Sequence, residues 1–514
     1  MAFSISVAGP TEPAGARPRW RRVWRAAALA TLMALAGCAG DLLQRGGGPP
    51  NVVDPNPIAL QPSDVSLAQE RQIGKRAHPY LVAAYGGEYN QPRITRMIQA
   101  IIDRLQAQTE SADLQYRVTI LNSPVINAFA LPGGYIYVTR GLLALATTED
   151  ELANVLAHEM AHVLARHAIA RERATRTTLA ASRNLANLVG NRAASEAVLT
   201  NAKGYLARFS RQQEYEADTI GLKIAAKAGF SPLASAEILS SMASQSELNA
   251  RRFFSDDDPN QADFLSGHPA PPDRIAAIIS QAREFNVKDT EARQSDRRAY
   301  IQAIDGMLYG DDPGEGYVRG REFLHPGLRL TFTVPPGFRI DNRRDAVNAV
   351  SRDGGLIRFD GESIDENSTL QDYLASVWSS DIAVVDEQVL DINGKPAITA
   401  RASTKGWDFR LVAVRWSPTR IFRMLYATKS LTPGRDAAFL ASAQTIRQLS
   451  VDEARDAKPL RIEAYRVRPG DTVHMLAKGL PEEDAPDDEF RVLNGLPAGG
   501  AVDPGMWVKL VREE

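Results

Sequence analysis

Residues 151–167 read ELANVLAHEMAHVLARH, and the fold of the surrounding chain follows from this stretch. Apolar residues recur every three to four positions, so it predicts a buried helix. The HEMAH segment places His158, Glu159 and His162 in an HExxH pattern. At about 100° per residue, the two histidines lie about 40° apart on one helix face, one turn from each other. Two imidazoles placed in this way can bind one Zn²⁺, with Glu159 beside them to take a proton from water.

A catalytic zinc ion needs a third protein ligand and an open fourth position. Residues 210–218 read SRQQEYEAD, so Glu214 and Asp218 stand at positions i and i+4 and face the same way on a predicted helix. This pattern favours Glu214 as the third ligand and Asp218 as the carboxylate that orients a ligand histidine. Glu216 is the alternative ligand.

The remaining histidines have weaker claims on a metal. His167 lies about 180° round the predicted helix from His158, which excludes it from the site. His78 and His325 each precede a proline in an apparent loop, and His474 lies near the C-terminus.

Composition limits the classes of protein that this chain can form. Its 514 residues predict about three domains, and 44% hydrophobic against 24% charged residues predicts that most of it is folded. After residue 37 there remain 55 basic and 61 acidic residues, a net charge of −6. This excess of acid, without a basic block, argues against nucleic acid as a partner. The single cysteine, Cys38, excludes an internal disulfide framework and a thiolate zinc site.

The N-terminal segment is typical of an export signal. The cationic stretch RPRWRRVWR at 17–25 precedes an apolar run at 26–36 that is too short to span a bilayer. The run ends in LAGC, which resembles the bacterial lipobox. We therefore predict residues 1–37 to be a lipoprotein signal peptide and Cys38 to be the lipidation site. The alternative is an ordinary signal peptide with a chance cysteine.

The residues after the cysteine predict where the anchored chain lies. The residue after Cys38 is Ala39, whereas an Asp there would favour retention in the inner membrane. This resembles the sorting pattern for the outer membrane. We expect a periplasmic protein held at the outer membrane by its lipid. Residues 38–64 are rich in Gly, Pro and Asn and predict a tether.

Three motifs together resemble the HtpX/CAAX-prenyl-protease-like gluzincin metallopeptidases, and most closely their periplasmic BepA-type branch. They are the HEMAH helix, the SRxxExxAD segment at 210–218, and the SGHP segment at 266–269 followed by Arg274. The resemblance covers about residues 65–285. It implies a zincin-type peptidase with one Zn²⁺ per chain and Glu159 as the general base. The implied metal ligands are His158, His162 and Glu214.

The same resemblance assigns roles to residues around the metal. Asp218 would orient His158, and Arg274 would pair with the Asp218 region. His268 corresponds to the histidine of the family's SxHP loop. That histidine either occupies the fourth zinc position as a plug or stabilises the oxyanion of the tetrahedral intermediate, and the sequence leaves both roles open.

The stretch NAFALPGGYIYV at 127–138 resembles the family's strand next to the metal. Its glycine pair permits a tight turn, and residues 135–139 would then be an edge strand. Since an edge strand can bind an extended peptide by adding it to the sheet, these residues predict a substrate-binding segment, and a structural hairpin is the alternative. The predicted contact residues are Gly133, Gly134, Tyr135 and Ile136. Residues 168–209, between the two ligand helices, predict a lid over the cleft.

The sequence therefore predicts a multidomain chain. A mainly α zincin-type peptidase domain with a small β-sheet occupies 65–305, and an α+β domain without a chemical motif occupies 318–452. Residues 462–512 resemble a LysM module, a small βααβ fold that binds peptidoglycan glycans. Glycan binding stays open because residues 478–489 are short, acidic and rich in proline.

These features predict a lipid-anchored zinc endopeptidase of the bacterial cell envelope. Its expected partners are misfolded or misassembled envelope proteins, the membrane, and peptidoglycan if the last module binds glycan. One alternative is a chaperone-like or peptidoglycan-associated scaffold whose zinc site is held shut by His268. Another is a peptidoglycan hydrolase, against which the ligand spacing argues.

Overall fold

A computed structural model of the chain describes residues 63–109, 111, 113–173, 210–253, 264–285, 290–377, 384–404, 406–481 and 485–514. The predicted signal peptide, Cys38 and nearly all of the predicted tether lie outside these residues, as does most of the predicted lid. Among the described residues, no helix is both long and apolar enough to cross a membrane.

The first part of the described chain is mainly helical with one small sheet, which confirms the predicted architecture of the peptidase region. Its helices are α1 (Leu67–Ala84), α2 (Pro92–Gln106), α3 (Arg140–Leu145), α4 (Glu149–Leu164), α5 (Arg211–Lys227), α6 (Ala234–Phe253), α7 (Phe264–Gly267), α8 (Pro272–Ala282) and α9 (Thr290–Ala303). Its strands are β1 (Arg117–Leu121), β2 (Ala128–Leu131) and β3 (Tyr135–Thr139).

Helix α4 carries the HEMAH segment and is covered on all sides. The Thr148 side chain caps its N-terminus by accepting a hydrogen bond from the Glu151 N–H, and residues 150–164 are all buried. Helix α5 packs closely along α4 because Gly221 has no side chain. A Cβ at that position would lie 3.1 Å from the Cα of His158. This approach brings the acidic residues of α5 next to the histidines of α4.

The small sheet has the strand order β1-β3-β2, so β3 is its central strand. The expected tight turn joins β2 to β3, with Gly133 and Gly134 at φ values of 84° and 86°. The prediction that residues 135–139 form an edge strand is nevertheless wrong, because β1 pairs with the other side of β3 in parallel. The edge strand that packs against α4 is β2.

The second part of the described chain is rich in β-sheet. Its strands are β4 (Leu308–Tyr309), β5 (Tyr317–Arg319), β6 (Glu322–His325), β7 (Leu330–Thr333), β8 (Phe338–Asn342), β9 (Val347–Ser351), β10 (Leu356–Ser363), β11 (Val384–Ile392), β12 (Lys395–Thr404), β13 (Trp407–Ser417), β14 (Arg420–Thr428) and β15 (Arg447–Gln448). Its helices are α10 (Leu370–Val377), α11 (Pro433–Ala443) and α12 (Val451–Asp456).

Strands β8 to β14 form an antiparallel sheet in the order β11-β12-β13-β14-β10-β9-β8, and β15-β7-β6-β5 form a second sheet. Neighbouring residues of β12 point to opposite faces, and they belong to different apolar cores. Ala397 packs in the core that contains α11, and Ile398 packs in the core that contains α10. Both faces of the larger sheet are therefore covered, as an α+β domain requires.

The last part of the described chain has the βααβ order that the sequence predicts. Strand β16 (Leu460–Arg466) is followed by helices α13 (Val473–Leu476) and α14 (Pro486–Leu493) and by strand β17 (Trp507–Glu513). Strands β16 and β17 pair in antiparallel fashion, and β4 extends them to a three-stranded sheet. We call residues 460–514 the C-terminal unit.

The C-terminal unit is packed into the helical part instead of lying apart from it. Leu460, Ile462, Leu493 and Val511 belong to the same apolar core as α2 and α4. Lys509 on β17 is completely buried, and its Nζ donates hydrogen bonds to the carbonyl oxygens of Ala144, Leu145 and Ala146 at 2.5, 3.0 and 2.7 Å. These carbonyls end α3 and lead directly into α4. The C-terminal unit therefore supports the start of the HEMAH helix.

This contact predicts that Lys509→Met destabilises the whole helical part. Methionine keeps the volume of the side chain, but it cannot donate to the buried carbonyl groups, each of which costs about 1–3 kcal/mol when left unpaired. We expect the midpoint of thermal unfolding, followed by circular dichroism, to fall by several degrees. The exposed Lys478 of the same unit supplies the control, Lys478→Met, which should leave the midpoint unchanged. Equal midpoints for the two variants would contradict this role of Lys509.

Candidate active site

Four buried side chains converge to form what we call the His/Glu cluster. It consists of His158, His162, Glu214 and His268, and one ligand atom from each lies within 4.8 Å of the others. Helix α4 supplies the first two residues, α5 supplies the carboxylate, and His268 follows α7. The three ligands predicted from the sequence are thus brought together, and the histidine of the SGHP segment joins them.

The spacing within the cluster fits a tetrahedral metal ion. Four nitrogen or oxygen ligands about 2.0 Å from a zinc ion lie about 3.3 Å from one another. Here Nε2 of His158 is 3.0 Å from Nε2 of His162 and 3.2 Å from Nδ1 of His268. The Glu214 carboxylate oxygens lie 3.5 Å from Nε2 of His158 and 3.6 Å from Nε2 of His162. These separations bracket the tetrahedral value.

Asp218 and Arg274 lie behind the cluster and hold it in place. One oxygen of Asp218 is 3.0 Å from Nδ1 of His158, which leaves Nε2 of that ring for the metal. The Arg274 guanidinium donates two hydrogen bonds to Asp218, at 2.7 and 2.8 Å. Burial disfavours the charged form of Asp218, but these bonds and the one from His158 outweigh it and hold the pKa of the carboxyl below its usual value.

The Arg274 guanidinium also contacts the ligand carboxylate of Glu214 and the backbone of the His268 segment. Its Nη1 lies 2.8 Å from an oxygen of Glu214 and donates to the backbone carbonyls of His268 and Pro269 at 3.2 and 2.9 Å. Arg274 is only 2% exposed. It therefore fixes the ligand carboxylate and the His268 segment relative to each other.

Glu159 lies beside the ligands and is 1% exposed. Its Oε1 is 3.6 Å from Nε2 of His268 and has no hydrogen-bond partner in the described part of the chain. Burial raises the pKa of this carboxyl. A buried carboxylate oxygen without a partner, next to a metal-binding cluster, fits a group that exchanges a proton with water or substrate.

The structure corrects the prediction for His167. A continued helix would place His167 on the far side from His158, but α4 ends at Leu164 and Arg166 takes a left-handed φ of 54°. This turn brings Nδ1 of His167 to 2.9 Å from Nδ1 of His162, and its Nε2 to 3.4 Å from Glu216. Glu216, the alternative ligand, thus contacts His167 and is not part of the cluster.

The predicted substrate-binding residues lie one strand away from the cluster. Ile136 is completely buried in the central strand, and Gly133 and Tyr135 line a cleft of about 910 Å³ that none of the cluster residues lines. Instead, Ala130 and Leu131 of β2 line a small cavity together with His162. A local sequence pattern does not reveal the parallel pairing of β1 with β3, and so it does not point to these two residues.

Comparison with known proteins agrees with this site. The model of peptidase family M48 matches residues 89–282, which contain the whole cluster. Residues 89–282 form an M48 domain. The resemblance predicted from the HEMAH, SRxxExxAD and SGHP motifs is thereby confirmed, and the domain is that of a metal-dependent peptidase.

Two curated relatives are similar to part of this chain. The chain is 32% identical over 235 residues to the mitochondrial metalloendopeptidase OMA1 of Schizosaccharomyces pombe, covering 44% of this chain and 65% of that protein. It is 30% identical over 236 residues to the beta-barrel assembly-enhancing protease of Escherichia coli, covering 43% of this chain and 46% of that protein. The chain thus spans less than two thirds of either relative.

A solved structure, that of cyanobacterial PsbP from a Synechocystis species, is 13% identical and covers 27% of this chain and 98% of its own. Its TM-score of 0.22 is too low to assign a fold.

The geometry predicts that Glu214→Gln prevents metal binding by the M48 domain. An amide is a poor substitute for the charged carboxylate ligand, and it leaves the Arg274 guanidinium without one of its two anions. We expect less than about a tenth of the wild-type zinc content after dialysis, measured by atomic absorption. Glu237→Gln, at an exposed position of α6, should bind zinc like the wild type. Retained zinc in Glu214→Gln would contradict this ligand assignment.

Proposed function

We propose that the chain is a lipid-anchored zinc endopeptidase of the bacterial cell envelope that hydrolyses peptide bonds of misfolded or misassembled envelope proteins. The observation that supports it most is the tetrahedral spacing of two histidines and one glutamate around a common point, with Glu159 beside them. Two relatives are named a metalloendopeptidase and a beta-barrel assembly-enhancing protease, which favours proteins as substrates and the envelope as the place of action. Cys38 would supply the lipid anchor.

The residues of the site divide the chemistry among them. A zinc ion held by His158, His162 and Glu214 would supply Lewis-acid activation of a water molecule and of the scissile carbonyl. Glu159 takes a proton from the attacking water and returns it to the leaving amine, a task for which a raised carboxyl pKa is suited. Asp218 holds His158 in orientation throughout.

A peptide substrate that binds by strand addition requires an edge strand with unpaired backbone groups. Strand β2 is the edge that packs against α4, and its residues Ala130 and Leu131 lie next to His162. An extended peptide that added to β2 would pass close to the cluster, since strand addition aligns the two backbones. We therefore move the proposed substrate-binding segment from residues 133–136 to β2.

His268 supports the alternative function, a scaffold with a closed site. Its Nδ1 lies 3.0 Å from Glu214 and 3.2 Å from His158, at the fourth corner of the cluster. A substrate carbonyl that bound there would have to displace this ring. In the peptidase proposal His268 withdraws and can then serve the oxyanion, whereas in the scaffold proposal it stays in place.

One experiment separates these functions: casein and peptidoglycan are offered to the zinc-loaded wild type, Glu159→Gln and His268→Ala. We expect the wild type to degrade casein but not peptidoglycan. Glu159→Gln should keep its zinc and lower kcat on casein by about 100-fold or more, because it loses the proton-transferring group.

The response of His268→Ala distinguishes the roles of that residue. Faster casein cleavage than in the wild type supports a plug, and slower cleavage supports a role at the oxyanion. If the wild type and His268→Ala are both inert on casein, the peptidase proposal fails and the scaffold remains. Release of soluble glycan fragments by the wild type, abolished in Glu159→Gln, would instead identify a peptidoglycan hydrolase.

A further inference from the structure

The two histidines of α4 can share one metal only if both rings present Nε2 to it. In His158 this orientation is held by Asp218, which lies 3.0 Å from Nδ1. In His162 the corresponding atom faces another imidazole, with Nδ1 of His167 at 2.9 Å. The two rings stand nearly perpendicular, at 72°, and their centroids are 4.9 Å apart. His167 thus occupies, for the second ligand, the place that Asp218 occupies for the first.

A hydrogen bond between two ring nitrogens needs one donor and one acceptor. When Nε2 of His162 binds a metal, its proton is on Nδ1, so Nδ1 donates and Nδ1 of His167 accepts. The proton of His167 must then be on its Nε2, which is the nitrogen that faces the carboxylate of Glu216 at 3.4 Å. The hydrogen-bonded series His162–His167–Glu216 therefore has one consistent set of tautomers, and in that set Nε2 of His162 is available to the metal.

The backbone turn after α4 places His167 beside His162. A continued helix would place it about 140° round the axis from His162, out of reach. Arg166 instead takes the left-handed conformation, with φ at 54°, which is unfavourable for a residue with a side chain. Its Nε lies 3.0 Å from Oε1 of Glu70, and that carboxylate is almost completely buried on α1. A strained residue held by a buried ion pair beside a metal site indicates a functional constraint.

We propose that His167 is a positioning residue for the metal ligand His162, that Glu216 orients His167, and that the Glu70–Arg166 pair holds the turn that connects them. This inference rests on the proposed zinc site. It gives the two glutamates of α5 different tasks, since Glu214 faces the ligand atoms while Glu216 supports a ligand from behind. It also predicts that zinc affinity depends on a hydrogen-bond acceptor at position 167 and not on the bulk of the side chain alone.

The test measures zinc affinity by competition with a chromophoric chelator, for His167→Phe and His167→Asn. Phenylalanine keeps a ring of similar size without an acceptor, and we expect its zinc dissociation constant to rise by about 10- to 100-fold. The side-chain oxygen of asparagine can accept from Nδ1 of His162, so His167→Asn should recover most of this loss. His474→Phe, at an exposed position of the C-terminal unit, is the matched control and should bind zinc like the wild type.

Two outcomes would overturn the proposal: wild-type zinc affinity in His167→Phe, or an equal loss in the phenylalanine and asparagine variants. If His167→Phe does not fold, Glu216→Ala tests the same series of hydrogen bonds at its exposed end. Unchanged zinc affinity in Glu216→Ala would also overturn the proposal. Failure of the proposed function looks different, because the wild type and His268→Ala would then both be inert on casein, whatever the zinc affinity of the variants at position 167.

Discussion

The rest of the site depends on the buried ion pairs that the guanidinium of Arg274 forms with two carboxylates. Two carboxylates, Asp218 and Glu214, are 4% and 2% exposed, and burying such charges without a partner costs several kcal/mol for each. Arg274 lies against both of them, and its remaining donor bonds fix the backbone of the His268 segment. The carboxylates can therefore stay ionised in the interior, one as a metal ligand and one as the support of His158.

The ligand histidines are supported from opposite sides by different chemistry. His158 is backed by a carboxylate that is itself held by Arg274, deep inside the protein. His162 is backed by a second imidazole, whose partner Glu216 is partly exposed at the surface. The closeness of α4 and α5, which Gly221 permits, is what allows one short acidic segment to reach both ligands.

The C-terminal unit shares an apolar core with the helical part of the chain as well as following it in sequence. Lys509 supports the loop that starts α4, and the nearly buried Glu489 accepts a hydrogen bond from Arg252 on α6 at 3.1 Å. Helix α6 precedes the His268 segment in the sequence. The unit thus contacts the elements that lead into two parts of the site, more than 200 residues earlier in the chain.

Local patterns predicted much of this arrangement. The apolar period of α4, the spacing of Glu214 and Asp218, and the glycine turn between β2 and β3 are properties of short segments, and the structure contains all three. The parallel pairing of β1 with β3, the buried Lys509 and the left-handed Arg166 depend on distant residues or on the end of a helix. Helical periodicity does not show where a helix ends. Extrapolating it past Leu164 therefore places His167 away from the metal ligands, where the structure does not have it.

The function proposed for this chain requires that His158, His162 and Glu214 hold one zinc ion. Crystals of the zinc-loaded protein, measured on both sides of the zinc absorption edge, would locate the ion directly. We expect one strong anomalous peak per chain, about 2.0–2.2 Å from Nε2 of each histidine and from an oxygen of Glu214. A peak at any other set of side chains, or a cluster without a peak in crystals shown to contain zinc, would contradict it.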